Sequence, residues 1–241
     1  MQNLHDNSRP LILGIDSSTA TGCAAIFRDG ELISEEISNN GLTHSQTLLP
    51  MVSRVIENAG VTANDISLIA VTVGPGSFTG LRIGLSTAKG IAAVTGAKCI
   101  GLSTLETLAN SIEDDGLICA VCDARCKRVF NALFERKDGK LTRIYDDKTT
   151  ECVTLAEELL AYERPITLIG DGAKVCDSIF SDYDNLHYNI KDDFIRGRAL
   201  CSLGEIKSDT AVDYKSLNPT YIQLPQAQRE LLLKQKGVVK E

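Results

Sequence analysis

Short apolar runs closed by polar turns fill the first hundred residues, and each run has the length of a strand rather than a helix. The run at 11–15 ends on Asp16 and meets the polar turn Ser17-Ser18-Thr19-Ala20-Thr21-Gly22, while runs at 23–27 and 31–37 flank the hairpin turn Asp29-Gly30. A three-stranded meander is predicted. After Asn39-Asn40-Gly41 the spacing becomes helical: a helix opens at Thr43 or Ser45, buries Leu48, Leu49, Val52, Val55 and Ile56, and carries Pro50 near its start or at a kink.

The pattern then repeats. A strand at 116–122 ends on Asp123, runs at 128–136 and 141–145 flank Asp138-Gly139, a helix is predicted over 154–162, and a strand at 166–169 ends at Gly170-Asp171-Gly172. Asp16 thus corresponds to Asp123, and Gly74-Pro75-Gly76 to Gly170-Asp171-Gly172. Two similar α/β halves should face each other across a cleft lined by both Asp turns and both glycine turns. The predicted divisions are a flexible leader at 1–9, halves at 10–102 and 103–212, the second opening on a helix at 103–111, and a C-terminal segment at 213–241. The last contains a helix over 226–235 that returns to the first half.

The chain is organised around residues 67–93, where an apolar strand stops at Gly74-Pro75-Gly76 and a helix begins, capped by Ser77 or Thr79. The first-turn N–H groups of that helix form either a phosphate site or only a capped connection. Gly80, Gly84 and Ala88 recur every fourth residue on one face, although an interior glycine costs about 1 kcal/mol relative to alanine. Another backbone must therefore approach that face, from the same domain or from a second chain. Arg82 and Lys89 interrupt the apolar run well short of a membrane span, so a soluble helix–helix contact is expected, and Gly84→Leu should abolish pairing while sparing the fold.

Charge narrows the partners. A net charge of −7 argues against the chain holding a nucleic acid by itself, because phosphate neutralisation needs a basic face. The basic residues of the tail, Arg229, Lys234, Lys236 and Lys240, are diluted by Glu230 and Glu241 and read as a solvated helix end. The leader is polar, so a reducing, cytoplasmic setting with eight free thiols is expected. Cys119 and Cys122 sit an odd number of positions apart in a strand and point to opposite faces, which fits buried small residues rather than a metal knuckle.

A strand-end carboxylate before a Ser/Thr/Gly turn suits a phosphate and hydrated magnesium. Asp16, Ser17 and Ser18, with Gly74, Gly76 and Ser77 opposite, are the candidate nucleotide-binding residues. The counterpart Asp123-Ala124-Arg125-Cys126-Lys127-Arg128 has no glycine to bring backbone close to an anion, and hairpin capping by both Asp residues is the alternative. No P-loop and no Gly-x-Ser-x-Gly elbow is present, and the three histidines lack hydrolase partners. His44 has no second ligand at helical spacing, since Asn40 and Leu48 occupy those positions.

Several segments together resemble the TsaB (YeaZ) family: Ile12-Leu13-Gly14-Ile15-Asp16-Ser17-Ser18, Thr43-His44-Ser45-Gln46, Gly74-Pro75-Gly76-Ser77-Phe78-Thr79-Gly80-Leu81-Arg82-Ile83-Gly84, Asp123-Ala124-Arg125 and Pro219-x-Tyr221. The resemblance runs in order over about residues 10–224. It implies an α/β, duplicated actin-like (ASKHA, RNase H-like) fold. It also implies a non-catalytic dimerisation subunit for N6-threonylcarbamoyladenosine formation at tRNA position 37, which touches tRNA only indirectly. The implied partners are TsaD, whose His-x-x-x-His metal pair this sequence lacks, TsaE in a larger complex, and a second copy when the chain is alone. His44, Leu48, Leu49, Met51, Val52, Phe78, Gly80, Leu81, Gly84, Leu85 and Ala88 would form the partner surface. No cofactor is required on this reading, with ATP or ADP and magnesium at the cleft or the complex interface as the alternative. An arginine common after the tyrosine is replaced here by Ile222-Gln223-Leu224. The competing function is a self-sufficient ASKHA ATPase or phosphotransferase working through Asp16 and Asp123.

Overall fold

The computed structural model describes residues 10–188 and 193–223, so the leader and the helix expected over 226–235 lie outside the described residues. Within them the predicted meander forms. β1 (Ile12–Asp16), β2 (Gly22–Arg28) and β3 (Glu31–Ser38) pair antiparallel, with Asp29 and Gly30 in the left-handed region that a tight hairpin turn requires. Next come α1 (His44–Asn58), β4 (Leu68–Gly74), α2 (Phe78–Thr95), β5 (Lys98–Ser103) and α3 (Thr104–Ala109). The second half is β6 (Gly116–Asp123), β7 (Arg128–Lys137), β8 (Lys140–Glu151), α4 (Cys152–Leu160), β9 (Ile166–Ile169), α5 (Gly172–Phe180), β10 (Leu186–Tyr188) and α6 (Gly197–Ile206).

The two sheets have the same topology. Their strand orders, β3-β2-β1-β4-β5 and β8-β7-β6-β9-β10, superpose element by element, with the three parallel strands on the same side in each. This is the duplicated actin-like arrangement.

Alternation along the strands sorts the core into layers. Leu13, Ile15, Ala24, Ile26, Ile69 and Val71 face α1 and α2 on the outside of the first sheet. Ile12, Ala25, Phe27, Ala70 and Ile100 face inward, toward α3, α6 and the inner face of the second sheet. Leu117, Cys119, Val121 and Leu133 face α4 and α5, so Cys119 and Cys122 do lie on opposite faces.

The two sheets share their packing. α3 lies between the two sheets, and α6 crosses back onto β1 and β2 of the first half, where Gly14 lies so close to Cys201 that a Cβ would stand 2.6 Å from its sulfur. Backbone pairing of Cys99 with Val212 and of Thr220 N with the Val73 carbonyl returns the following segment to the first half as well.

One sequence expectation is overturned. Six thiols are free, but Cys152 and Cys176 form a disulfide between the start of α4 and the middle of α5, their Cα atoms 5.4 Å apart. Both side chains sit in the outer core of the second half, where those two helices converge.

Candidate functional site

Parallel pairing of β1 with β4 places their C-terminal ends side by side, which brings Asp16 next to Thr72. The Asp16 carboxylate accepts hydrogen bonds from Ser18 N (3.1 Å), Ser18 Oγ (2.6 Å) and Thr72 Oγ1 (2.6 Å). At 1% exposure it sits behind Ser18 and Thr19, which line the cleft. Its role in this geometry is to hold the turn. From the other side, His44 Nε2 lies 2.7 Å from the Thr19 carbonyl, and the ring abuts Gly22.

The same turn accounts for the glycine pattern. A Cβ at Gly76 would stand 2.3 Å from the Ser18 carbonyl oxygen, one at Gly80 2.0 Å from the Ser17 carbonyl oxygen, and one at Gly84 2.5 Å from Ser17 Oγ. Ser77 N donates to the Ser18 carbonyl and Ser17 Oγ to the Gly80 carbonyl, stitching the turn to the start of α2. The backbone that approaches the stripe is therefore the chain's own, and the expectation of a partner helix against Gly80, Gly84 and Ala88 is corrected. Leu48, Met51, Val52, Leu81 and Leu85 are likewise buried inside the first half. Of the residues expected at a partner surface, Leu49 is exposed at 59%, and His44 and Phe78 are half-buried.

Ser77 is the helix cap, accepting from Gly80 N at 3.2 Å. Gly74, at φ 125°, has no room for a side chain because Thr220 O lies 2.4 Å from where a Cβ would stand; its bond to Pro75 is cis. Arg82, outside the expected set, donates from Nε to Tyr221 Oη (3.1 Å) and lies 3.9 Å from the Phe78 ring centre, while Phe78 and Tyr221 stand 5.0 Å apart. Tyr221 is thus held against the first turns of α2 by Arg82 and Phe78.

In the second half, Asp123 N donates to Asp171 Oδ1 (3.1 Å), and Asp123 Oδ1 accepts from Arg125 N (2.7 Å). Burial pushes the Asp171 carboxyl above its usual range, against the lowering effect of the hydrogen bond from Asp123 N. Arg125, Cys126 and Lys127 all adopt positive φ in the turn that lacks glycine. The two turns face each other across a cleft of about 630 Å³.

An actin-like cleft implies a nucleotide with magnesium, and these residues do not fit one. The hydroxyls of Ser17, Ser18 and Ser77 and the Asp16 carboxylate are engaged within the chain, and no group of three metal-ligating side chains occurs among the described residues.

Burial dominates Asp16 too, holding its carboxyl above the ordinary 3.8 despite its hydrogen bonds from Ser18 and Thr72 and the nearby His44. A carboxyl raised by folding stabilises most fully below that unfolded value, and the contribution is lost as pH rises through the folded value. Asp16→Asn removes this dependence. Its stability relative to the parent should improve between pH 4 and pH 7, as measured by urea denaturation; a constant difference would contradict the assignment.

Two matching sheets, paired strand-end aspartates and glycine turns define an actin-like ATPase-fold protein. A family profile described as "TsaD: tRNA N6-adenosine threonylcarbamoyltransferase" matches residues 32–202. Over nearly its whole length, however, the chain is 31% identical to tRNA threonylcarbamoyladenosine biosynthesis protein TsaB of Bacillus subtilis (strain 168), covering 93% of this chain and 99% of that one. TsaB of Escherichia coli (strain K12) is 34% identical over 68% of this chain and 70% of its own. YeaZ from Pseudomonas aeruginosa shares the fold, with a TM-score of 0.75 at 21% identity over 88% of this chain and 99% of its own. The chain belongs to the TsaB family, whose members carry the name of threonylcarbamoyladenosine biosynthesis proteins. Among the described residues no helix is long and apolar enough to cross a membrane.

Proposed function

We propose that the chain is the non-catalytic subunit that binds and stabilises TsaD for N6-threonylcarbamoyladenosine formation at tRNA position 37. The observation that carries this reading is the outer layer of the first half. There α1 exposes Leu49 at 59% and α2 exposes Val94 at 84%, with open space around Gly90. Large apolar side chains held outward on two neighbouring helices are what a docking helix pair covers. The sequestration of Asp16 supports the same reading, because it removes the carboxylate on which an independent ATPase would rely. The isolated chain pairs with a second copy through the same layer, and TsaE joins the TsaD-bound form.

Mixing the purified chain with TsaD from the same organism should give one co-eluting species on size exclusion, with threonylcarbamoylation of tRNA only when both are present. Separate elution together with ATP turnover by this chain alone would overturn the proposal.

A further inference from the structure

A second cavity of about 630 Å³ lies between the halves at the end of the sheets opposite the cleft, where Phe27 pairs with Ile12 at the start of β1 and Arg136 with Gly116 at the start of β6. One wall is apolar, built from Phe27, Leu32 and Ile206, the last 72% exposed at the rim. The other is organised by Asn110. Its Nδ2 donates to the Ala199 carbonyl (2.9 Å) and to Ser202 Oγ (3.1 Å) on α6, which fixes Oδ1 as the acceptor for Arg136 Nη2 at 3.2 Å.

Arg136 is 8% exposed, and among the described residues its one other hydrogen bond is from Nη1 to the Gly139 carbonyl at 2.9 Å. Two of a guanidinium's five N–H groups are thus used, both on neutral acceptors, and Nε is buried with none. Ser111, next to Asn110 in the same lining, has a buried hydroxyl without a partner. The cavity lining also holds the carboxylates of Glu35, Glu113 and Glu205 and the guanidiniums of Arg196 and Arg198. Glu35 accepts from Gly197 N at 2.5 Å and lies 3.9 Å from Arg196, and among the described residues no carboxylate forms an ion pair with Arg136. A guanidinium buried against neutral oxygens alone is costly until an anion completes its shell.

We infer that this cavity binds a small organic anion, a carboxylate or phosphate monoester on a compact apolar body. Arg136 and Ser111 receive the anionic head, and Phe27, Leu32 and Ile206 cover the body. This site is separate from the proposed TsaD-binding layer and stands whether or not that reading does.

Benzoate, phenyl phosphate and neutral benzamide, titrated into the full chain by calorimetry and saturation-transfer NMR, test it. At least one anion should bind saturably, about tenfold or more tighter than benzamide, and Arg136→Met should weaken it by a similar factor. If that variant fails to fold, Ser111→Ala provides the same reading with little change in packing, and a loss of about threefold or more is expected. The preferred probe identifies the head group. No saturable binding of either anion, equal affinity for benzamide, or affinity unchanged in the folded variants would overturn the assignment.

Discussion

Gly80→Ala is expected to destabilise the chain by about 3 kcal/mol or more, while Gly90→Ala on the same helix stabilises it by about 1 kcal/mol. Helix propensity favours alanine at both positions, so the difference in sign isolates what each glycine faces. At Gly80 the new Cβ would stand 2.0 Å from the Ser17 carbonyl oxygen, a backbone atom at the end of a buried strand. Relief requires shifting α2 away from that strand, which also stretches the Ser17 Oγ bond to the Gly80 carbonyl. At Gly90 nothing lies within 4 Å, and only the entropic gain remains. Gly84→Leu follows Gly80. Its Cβ would lie 2.5 Å from Ser17 Oγ with Val71 behind it, so it damages the fold rather than only a partner contact. Urea midpoints of the three variants test this, and a Gly80→Ala protein as stable as its parent would remove the close approach from the account.

Those glycines show where sequence reasoning stops. Their spacing reveals that something must come within reach of α2, because glycine in a helix needs an offsetting contact. The fold shows that Ser17 makes it. The strands ending on Asp16 and Asp123 were legible, since continuous apolar runs closed by a carboxylate and a turn have few alternatives. The helix over 78–95 was legible from its cap and its periodicity.

α6 was not. Its buried face carries Leu200 and Leu203, but the closest approaches to the sheet are made by Gly197, Cys201 and Gly204, against Ala25, Gly14 and Ala70. β8 was read only to Tyr145, because its second half, through Glu151, is polar and half-exposed on an edge strand. The Cys152–Cys176 bond joins residues 24 apart on different helices, and no spacing rule reaches it. The Asp16 turn looked like a phosphate site for a sound reason, since its residue types suit one. What sequence could not supply was that those groups are already committed to one another.

If the outer layer of the first half is the docking face, a Leu49→Lys/Val94→Lys double variant should lose TsaD binding by two to three orders of magnitude with its own stability nearly unchanged. Each apolar side chain fully buried on association contributes about 2 kcal/mol, and two of them account for a loss of that size. The cost to the isolated chain is small because both side chains already face solvent, at 59% and 84% exposure. Lysine suits position 94 in particular, since a cation near the C-terminal end of α2 is favoured by the helix dipole. The second half supplies the control. Val153 on α4 is 55% exposed in the corresponding outer layer, and Val153→Lys should leave association intact. Calorimetry with TsaD separates the outcomes, and light scattering of the chain alone shows whether self-pairing uses the same face. Equal losses in the double variant and in Val153→Lys would mean that charge rather than the α1–α2 surface governs association, and an unaffected double variant would move the interface off this layer altogether.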